Sequence, residues 1–236
     1  MHLLLVNDDG VEAPGLEILA RVAREFGRVT IVAPDCHRSN CSHGTTTDRP
    51  LAARELEPGR FALDGTPADC ARVGLLHLAT DADWVLAGVN DGGNLGVDIY
   101  MSGTVAAARE AMLLGRSAIA ISQYKRGRPV DWQRAARDTR VVLTALLDRH
   151  PGAGRLWNVN LPDHDELQTP AIVECGLDPH PLPLTLELVA GQYVYRSNYQ
   201  QRRRDAGADV DTCFSGQIAI TRVAHYGVTA ALSKQS

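Results

Sequence analysis

The sequence has no long apolar run and no dense basic segment beyond Arg202–Arg204. A transmembrane helix needs roughly 18 consecutive apolar residues, and no segment approaches that length. Proteins that bind duplex nucleic acid usually present a basic face, whereas this chain has a formal net charge of -4. We therefore expect neither a membrane nor duplex nucleic acid as a partner. A single nucleotide or a small phosphate ester stays open.

Cysteines are few and lack regular spacing. The chain has five, an odd number without a CxxC pair: Cys36, Cys41, Cys70, Cys175 and Cys213. This pattern favours reduced thiols over disulfides or a zinc site. The N-terminus also lacks a basic segment before its short apolar run, so we expect no signal peptide. Together these features predict a cytoplasmic location.

Three familiar nucleotide and hydrolase motifs are missing. There is no GxxxxGK[ST], which argues against a P-loop ATPase. The glycines between Gly88 and Gly96 do not fit GxGxxG at the start of a helix, so dinucleotide binding is not expected. The absence of a GxSxG elbow weakens an esterase interpretation.

The most informative stretch lies at the start, where the apolar run Leu3–Val6 is followed by Asn7, Asp8, Asp9 and Gly10. A short apolar run without polar alternation is typical of a strand that is buried on both faces. Two neighbouring carboxylates repel each other and usually share a cation or a proton. A solvated turn is the alternative, and this stretch alone does not decide between them.

Strands and helices alternate as far as residue 160. Predicted strands lie at 3–6, 29–33, 84–89, 118–121 and 156–160, short strands at 45–65, and predicted helices at 16–26, 67–78, 103–114 and 131–148. Cap residues support these helices: Thr66 with Asp69, Ser102, Gly27 and Gly115. The alternation predicts an α/β fold, a doubly wound, mostly parallel, Rossmann-like sheet in a three-layer α/β/α arrangement.

The pattern changes after residue 160. Apolar positions near Val173, Leu188, Val194 and 218–220 suggest strands, and polar or proline-rich stretches without a clear helix separate them. We expect one domain over 1–236, with a core of about 1–160. The remainder, about 161–236, is predicted to be an irregular β extension used for oligomerisation.

Three loops follow predicted strands and should meet at one edge of the sheet. They carry Asp8 with Asp9, Ser39, and the segment from Asn90 to Asn94. Carboxylate, hydroxyl and amide oxygens form a donor set for a hard cation such as Mg²⁺, Mn²⁺ or Ca²⁺.

A second feature at that edge is Ser102-Gly103-Thr104, which opens a predicted helix. Backbone N–H groups at a helix start attract an anion, so a phosphate is a natural ligand. Simple helix capping by Ser102 is the alternative. His37 and His43 lie near Ser39 and either contact substrate or are ordinary loop residues.

Several motifs occur in an order and spacing that are specific as a set: Asn7-Asp8-Asp9-Gly10 with Ala13-Pro14-Gly15, Val32-Ala33-Pro34-Asp35 with Arg38-Ser39, Gly65–Cys70, Gly88-Val89-Asn90 with Asn94-Leu95-Gly96, and Ser102–Val105. A weaker match continues at Gly207-Ala208-Asp209 and 218–221. With these motifs the chain resembles the SurE family, the survival-protein-E nucleotidases and acid phosphatases.

The resemblance implies a 5'-nucleotidase, a phosphoric monoester hydrolase that acts on nucleoside monophosphates and extends to 3'-nucleotides and short polyphosphates. It implies one divalent cation per subunit, Mg²⁺, Mn²⁺ or Ca²⁺, with ligands that fall on Asp8, Asp9, Ser39 and Asn90. Phosphate contacts fall on Asn94, Ser102, Gly103 and Thr104. It also implies homodimers or homotetramers that exchange C-terminal elements.

The leading hypothesis is attack on a phosphate monoester by a metal-activated water that Asp8 or Asp9, the predicted catalytic residues, orients or deprotonates. An aspartyl-phosphate route is an alternative, although such enzymes typically present DxD and here the two acids are adjacent. A nucleotide-binding regulatory module without turnover is the alternative from another class.

Overall fold

The computed structural model describes residues 1–39, 41–148, 154–164, 169–196 and 198–224. Parts of the predicted C-terminal extension, at 165–168, 197 and 225–236, lie outside these residues. No helix in the described part of the chain has both the length and the apolar character needed to cross a membrane.

The strands are β1 (His2–Val6), β2 (Arg28–Pro34), β3 (Ala53–Glu57), β4 (Arg60–Leu63), β5 (Trp84–Asp91), β6 (Ser117–Gln123), β7 (Leu156–Leu161), β8 (Ile172–Glu174), β9 (Leu186–Val189), β10 (Gln192–Tyr195) and β11 (Ile218–Val223). The helices are α1 (Pro14–Ala23), α2 (Pro67–Val73), α3 (Gly103–Leu113), α4 (Trp132–Leu147) and α5 (Asp209–Phe214).

Nine strands form one sheet in the order β3-β4-β2-β1-β5-β6-β7-β11-β8. The central six, β4 through β7 in that order, are parallel. The chain builds outward from β1 to β2 and β4, then returns to the other side of β1 with β5. This reversal between β1 and β5 is a topological switch point, where ligands of open α/β sheets bind.

Helices cover both faces of the sheet, as predicted for a doubly wound fold. Alternate residues of β1 enter opposite layers: Leu3 and Leu5 pack with α1 and α4, whereas Leu4 and Val6 pack with α2 and α3. Because β1 is covered on both sides, all five of its residues are buried. That burial explains why the strand shows no polar alternation.

The predicted helix caps are confirmed at two of the helices, and one predicted helix end is wrong. Thr66 and Asp69 form a capping box at α2, and Ser102 accepts the backbone N–H of Val105 at the start of α3. Helix α1, however, ends at Ala23 and not near Phe26. Gly27 lacks the left-handed conformation of a helix cap; a Cβ there would lie 2.2 Å from the Met1 carbonyl oxygen.

The described residues after 160 contain more regular secondary structure than the sequence predicts. The expected absence of a helix is wrong, because Asp209–Phe214 forms α5. Strand β11 pairs antiparallel with β7 and parallel with β8, so both extend the main sheet. The predicted strands near Leu188 and Val194 are confirmed as a separate two-stranded hairpin, β9 with β10.

Candidate active site

The end of β1 carries two adjacent carboxylates into the switch point. Asp8 is only 4% exposed. Its side chain accepts a hydrogen bond from the Thr104 hydroxyl, and its backbone oxygen accepts the N–H of Arg38 at 2.8 Å. Burial raises the pKa of Asp8 from 3.8 to about 6, and the negative charge of Asp9 adds to this rise. A buried carboxylate of this kind favours either a proton or a cation.

Asp9 lies closer to solvent, in the same cleft. Its Oδ2 accepts the backbone N–H of Asp91 at 3.2 Å, which ties the loop after β1 to the end of β5. His37 Nδ1 lies 3.5 Å from its other oxygen. Burial raises the pKa of Asp9, while the hydrogen bond from Asp91 opposes that rise.

Ser39 follows β2 on a segment that is fixed from several sides. Ser42 donates its hydroxyl to the Tyr100 carbonyl oxygen at 2.8 Å. His43 Nε2 lies 2.8 Å from the carboxylate of Glu110, a buried residue of α3. The first contact attaches Ser42 to Tyr100, and the second attaches His43 to α3. His43 is thus engaged by Glu110 and is absent from the lining of the cleft.

Asn90 lies at the end of β5, beside the switch point. Its side-chain nitrogen donates to the Gly92 carbonyl oxygen at 2.8 Å, which leaves Oδ1 as the atom available to a cation. The preceding backbone packs against the start of α1, because a Cβ on Gly15 would lie 1.9 Å from the Val89 oxygen. This close approach explains the glycine in the Ala-Pro-Gly motif.

Asn94 is held in place by a buried polar network from the next two strands. Its backbone N–H donates to Asn160 Oδ1 at 2.8 Å, and its side-chain nitrogen donates to the Ser122 hydroxyl at 2.8 Å. Its carbonyl oxygen accepts from both Asn158 and Asn160. The three partners are 1% exposed or less. These hydrogen bonds to the backbone and the side chain of Asn94 fix its position.

The start of α3 forms the opposite wall of the cleft. Ser102 caps the helix, so the backbone N–H groups of Gly103 and Thr104 begin its first turn and have no partner inside the helix. A Cβ on Gly103 would lie 2.9 Å from Asp8 Oδ2. Glycine at this position therefore lets the helix start approach the carboxylate directly.

These elements line one cleft of about 470 Å³. Seven of the eight predicted site residues line it: Asp8, Asp9, Ser39, Asn90, Asn94, Ser102 and Gly103. Thr104 does not line the cleft, because its side chain is fully buried and its hydroxyl is bound to Asp8. Its hydroxyl therefore positions the Asp8 carboxylate.

Sequence reasoning missed several residues of the cleft. The cleft is also lined by Asp91, Asp98, Met101 and Lys125. His37, for which the sequence allows either a substrate contact or an ordinary loop position, lines it as well. Asp98 accepts from Arg202 at 2.9 Å and from the Tyr199 hydroxyl at 2.6 Å. Arg202 is thus buried within the fold and is not part of a basic surface.

The sequence contains a usable signal for the polar network that holds Asn94. Asn158 and Asn160 alternate within an otherwise apolar predicted strand, and polar residues in a doubly covered strand need partners.

No cluster of three or more His, Cys, Asp or Glu side chains placed to hold a metal ion occurs among the residues that the structure describes. The predicted set differs from such clusters, since it combines two carboxylates with neutral oxygens.

Comparisons with known proteins agree on one family. The family model described as Survival protein SurE matches residues 3–177. A putative 5'-nucleotidase of Synechocystis sp. is 43% identical over 225 residues, which cover 94% of this chain and 99% of that protein. The 5'/3'-nucleotidase SurE of Erwinia tasmaniensis is 36% identical over 244 residues, covering 100% of this chain and 94% of that one.

A solved structure extends the similarity to the whole fold. The crystal structure of the SurE protein from Aquifex aeolicus matches with a TM-score of 0.83 and 29% identity, and the match covers 98% of each chain. The similarity therefore includes the strands and the helix that follow residue 160.

Proposed function

This chain belongs to the SurE family, and from that premise we propose that it hydrolyses the phosphate monoester of nucleoside monophosphates with the help of a divalent cation. One observation carries the proposal. A cation-binding set of oxygens and an anion-binding helix start face each other across one cleft, and they approach so closely that a Cβ on Gly103 would lie 2.9 Å from Asp8 Oδ2. A metal phosphatase needs both features within reach of one phosphoryl group.

The donor set fits a hard cation. Asp8, Asp9, Ser39 and Asn90 offer carboxylate, hydroxyl and amide oxygens in a single cleft, the ligands that Mg²⁺, Mn²⁺ and Ca²⁺ take. The pKa values of both aspartates are raised, so burial disfavours their ionised forms. A bound cation favours the ionised forms, and this compensation supports the assignment. When bound, such a cation polarises a phosphoryl oxygen and lowers the pKa of a coordinated water.

The protein groups then divide the remaining work. In this proposal Asp8, which accepts from Thr104, or Asp9, which accepts from the Asp91 backbone, orients or deprotonates the attacking water. Asn94, Ser102 and the N–H group of Gly103 stabilise charge that develops on the phosphoryl oxygens. Asn94 can do so without rearrangement, since its backbone and side chain are already fixed.

The substrate class follows from the relatives, whose names specify 5'- and 5'/3'-nucleotidases. We extend the proposal to 3'-nucleotides and short polyphosphates, which present the same terminal phosphate to the cleft. We assign the protein to the cytoplasm, because all five cysteines are free and a reducing compartment keeps them so.

The experiment is a phosphate-release assay on a panel of nucleoside 5'- and 3'-monophosphates and tripolyphosphate. It is run with Mg²⁺ or Mn²⁺, and again after chelation. We expect turnover with metal and none after chelation. Turnover that resists chelation would favour a covalent aspartyl-phosphate route. Nucleotide binding without turnover would favour a regulatory module, and either outcome would overturn the proposal.

We further propose one domain over residues 1–236 that assembles as a homodimer or homotetramer through the β9–β10 hairpin. This hairpin exposes large apolar side chains, Leu186, Leu188, Val189, Tyr193 and Tyr195, and Leu184 just before it is exposed as well. Exposed apolar patches of this kind mark protein–protein contacts. Light scattering of the double variant L188E/Y193E should show a smaller assembly than the wild type; an unchanged mass would refute the hairpin's role.

A further inference from the structure

Lys125 is a charged residue in the cleft that none of the predicted roles uses. It follows β6 by two residues, and its amine lies 2.8 Å from Asp91 Oδ1 at the rim of the cleft. Among the described residues that line the cleft, it is the one Lys or Arg. Its side chain is 40% exposed, so it reaches solvent as well as the cleft.

The distribution of charge in the cleft favours a positively charged side chain at the position of Lys125. Four carboxylates line the cleft: Asp8, Asp9, Asp91 and Asp98. A divalent cation on the first two would offset their charge, and buried Arg202 offsets Asp98 at 2.9 Å. Asp91 is then balanced by Lys125. A phosphate monoester brings further negative charge, and a lysine is a common point-charge ligand for phosphate.

The weak ion pair of Lys125 and its fixed backbone position also suit a contact with substrate. An ion pair between two half-exposed side chains is weak, so Lys125 can exchange Asp91 for an incoming anion. Its flexible stem starts from a fixed point. Tyr124 stacks on Phe214 with ring centroids 4.5 Å apart, and Gln200 donates to the Lys125 carbonyl oxygen at 3.5 Å.

We propose that Lys125 binds a non-bridging oxygen of the substrate phosphate and is a further catalytic residue. The side chain leaves Asp91 as the anion enters, and it stabilises the phosphoryl charge that the cation and the start of α3 do not reach. This inference rests on the proposed function for its catalytic part. Its binding part stands on the charge and geometry of the cleft alone.

The test compares K125Q with K125R and with a matched control, R126Q. Arg126 is the next residue in the chain and carries the same charge. Its side chain does not line the cleft and donates to the Phe214 carbonyl oxygen at 2.6 Å. For each variant we would measure kcat and KM on a nucleoside monophosphate with Mn²⁺. The dissociation constant of inorganic phosphate would be measured by calorimetry, and the melting temperature would confirm that each variant folds.

We expect K125Q to weaken phosphate binding about tenfold and to lower kcat/KM about 10²-fold, as for the loss of one charged transition-state contact. K125R should recover most of both losses, because it restores the charge. R126Q should stay within about twofold of the wild type. Phosphate binding in K125Q equal to that of the wild type, or an equal loss in R126Q, would overturn the inference.

Failure of the proposed function gives a different result. If the wild type binds phosphate but releases none from any nucleotide, the hydrolase assignment fails, and the effect of K125Q on phosphate binding still decides the role of Lys125. If the wild type turns over and K125Q matches it in binding and rate, the function stands and Lys125 has no part in it.

Discussion

The two walls of the cleft have opposite electrostatic characters. The wall formed by the ends of β1 and β5 carries Asp8 and Asp9, whose pKa values are raised mainly by burial. The wall formed by the start of α3 offers unpaired backbone N–H groups and a helix dipole that favours anions. One wall therefore favours a cation and the other favours an anion.

The contrast explains why neither wall is a site on its own. The helix start could be ordinary capping, since Ser102 does cap α3. The acidic pair could be a solvated turn, but Asp8 is buried and Thr104 of the facing wall donates to it. Because the two walls share that hydrogen bond, a change in either one should disturb the other.

The largest effect should come from the acidic wall. Asp9→Asn removes one charge from the proposed cation site while it keeps the size of the side chain. We expect phosphate release to fall by about 10³-fold, because the cation loses a charged ligand. Asp148→Asn, on an exposed residue that ends α4, is the matched control and should leave the rate unchanged. Full activity in Asp9→Asn would refute the assignment of the acidic wall.

The next effect comes from forcing the walls apart. Gly103→Ala places a Cβ 2.9 Å from the Asp8 carboxylate, so either the helix start or the carboxylate must shift. We expect kcat/KM to fall about 10²-fold, since a displacement of about 1 Å in a catalytic group has effects of this size. Gly176→Ala is the control, because a Cβ there meets nothing within 4 Å. Equal rates for the two variants would show that the walls need not be close.

A third effect is on stability and depends on pH. In the metal-free protein the pKa of Asp8 is raised from 3.8 to about 6 on folding. Between these values the folded state holds a proton that the unfolded state has lost. The free energy of unfolding therefore falls as pH rises from about 4 to about 6 and stays lower above that.

Asp8→Asn removes this loss. At pH about 7.5 the chelated variant should be more stable than the wild type by about 2 to 3 kcal/mol, and at pH below about 4 the two should be similar. Urea unfolding at both pH values measures the difference. A variant that is less stable than the wild type at pH 7.5 would mean that the acidic wall does not require a cation.

The smallest effect concerns the network behind Asn94. Asn160→Ala leaves the backbone N–H of Asn94 without its partner in a buried position, which costs about 1 to 3 kcal/mol of stability. We expect kcat to fall about tenfold with a smaller change in KM, because Asn94 still contacts the phosphate but is less well placed. A loss of stability with unchanged kinetics would limit the network to folding.

Sequence predicted the doubly wound sheet well, because its signals are local. Apolar runs such as Leu3–Val6 mark strands that are buried on both faces, and Ser102 and Thr66 mark helix starts. The region after residue 160 was harder. Strand β8 has only three residues, and both β8 and β11 join the sheet only through distant partners. Helix α5 has six residues, too few for a clear helical period.

The candidate site likewise contains some residues that the sequence predicts and others that only the packed structure reveals. Asp8, Asp9, Ser39 and Asn90 could be grouped from sequence because each lies at or beyond the carboxyl end of a parallel strand, and those ends meet at one edge of the sheet. The contact of the Thr104 hydroxyl could not be predicted, since only the packed structure directs it to Asp8. Lys125 was missed for a similar reason: its approach to Asp91 depends on the pairing of β5 with β6.

The most direct test of the account is a Mn²⁺ titration of the chelated protein, followed by electron paramagnetic resonance, for the wild type and Asp9→Asn. We expect about one bound Mn²⁺ per wild-type chain, a spectrum that changes when inorganic phosphate is added, and loss of the bound ion in Asp9→Asn. Undiminished Mn²⁺ binding in Asp9→Asn, or a spectrum that does not respond to phosphate, would contradict it.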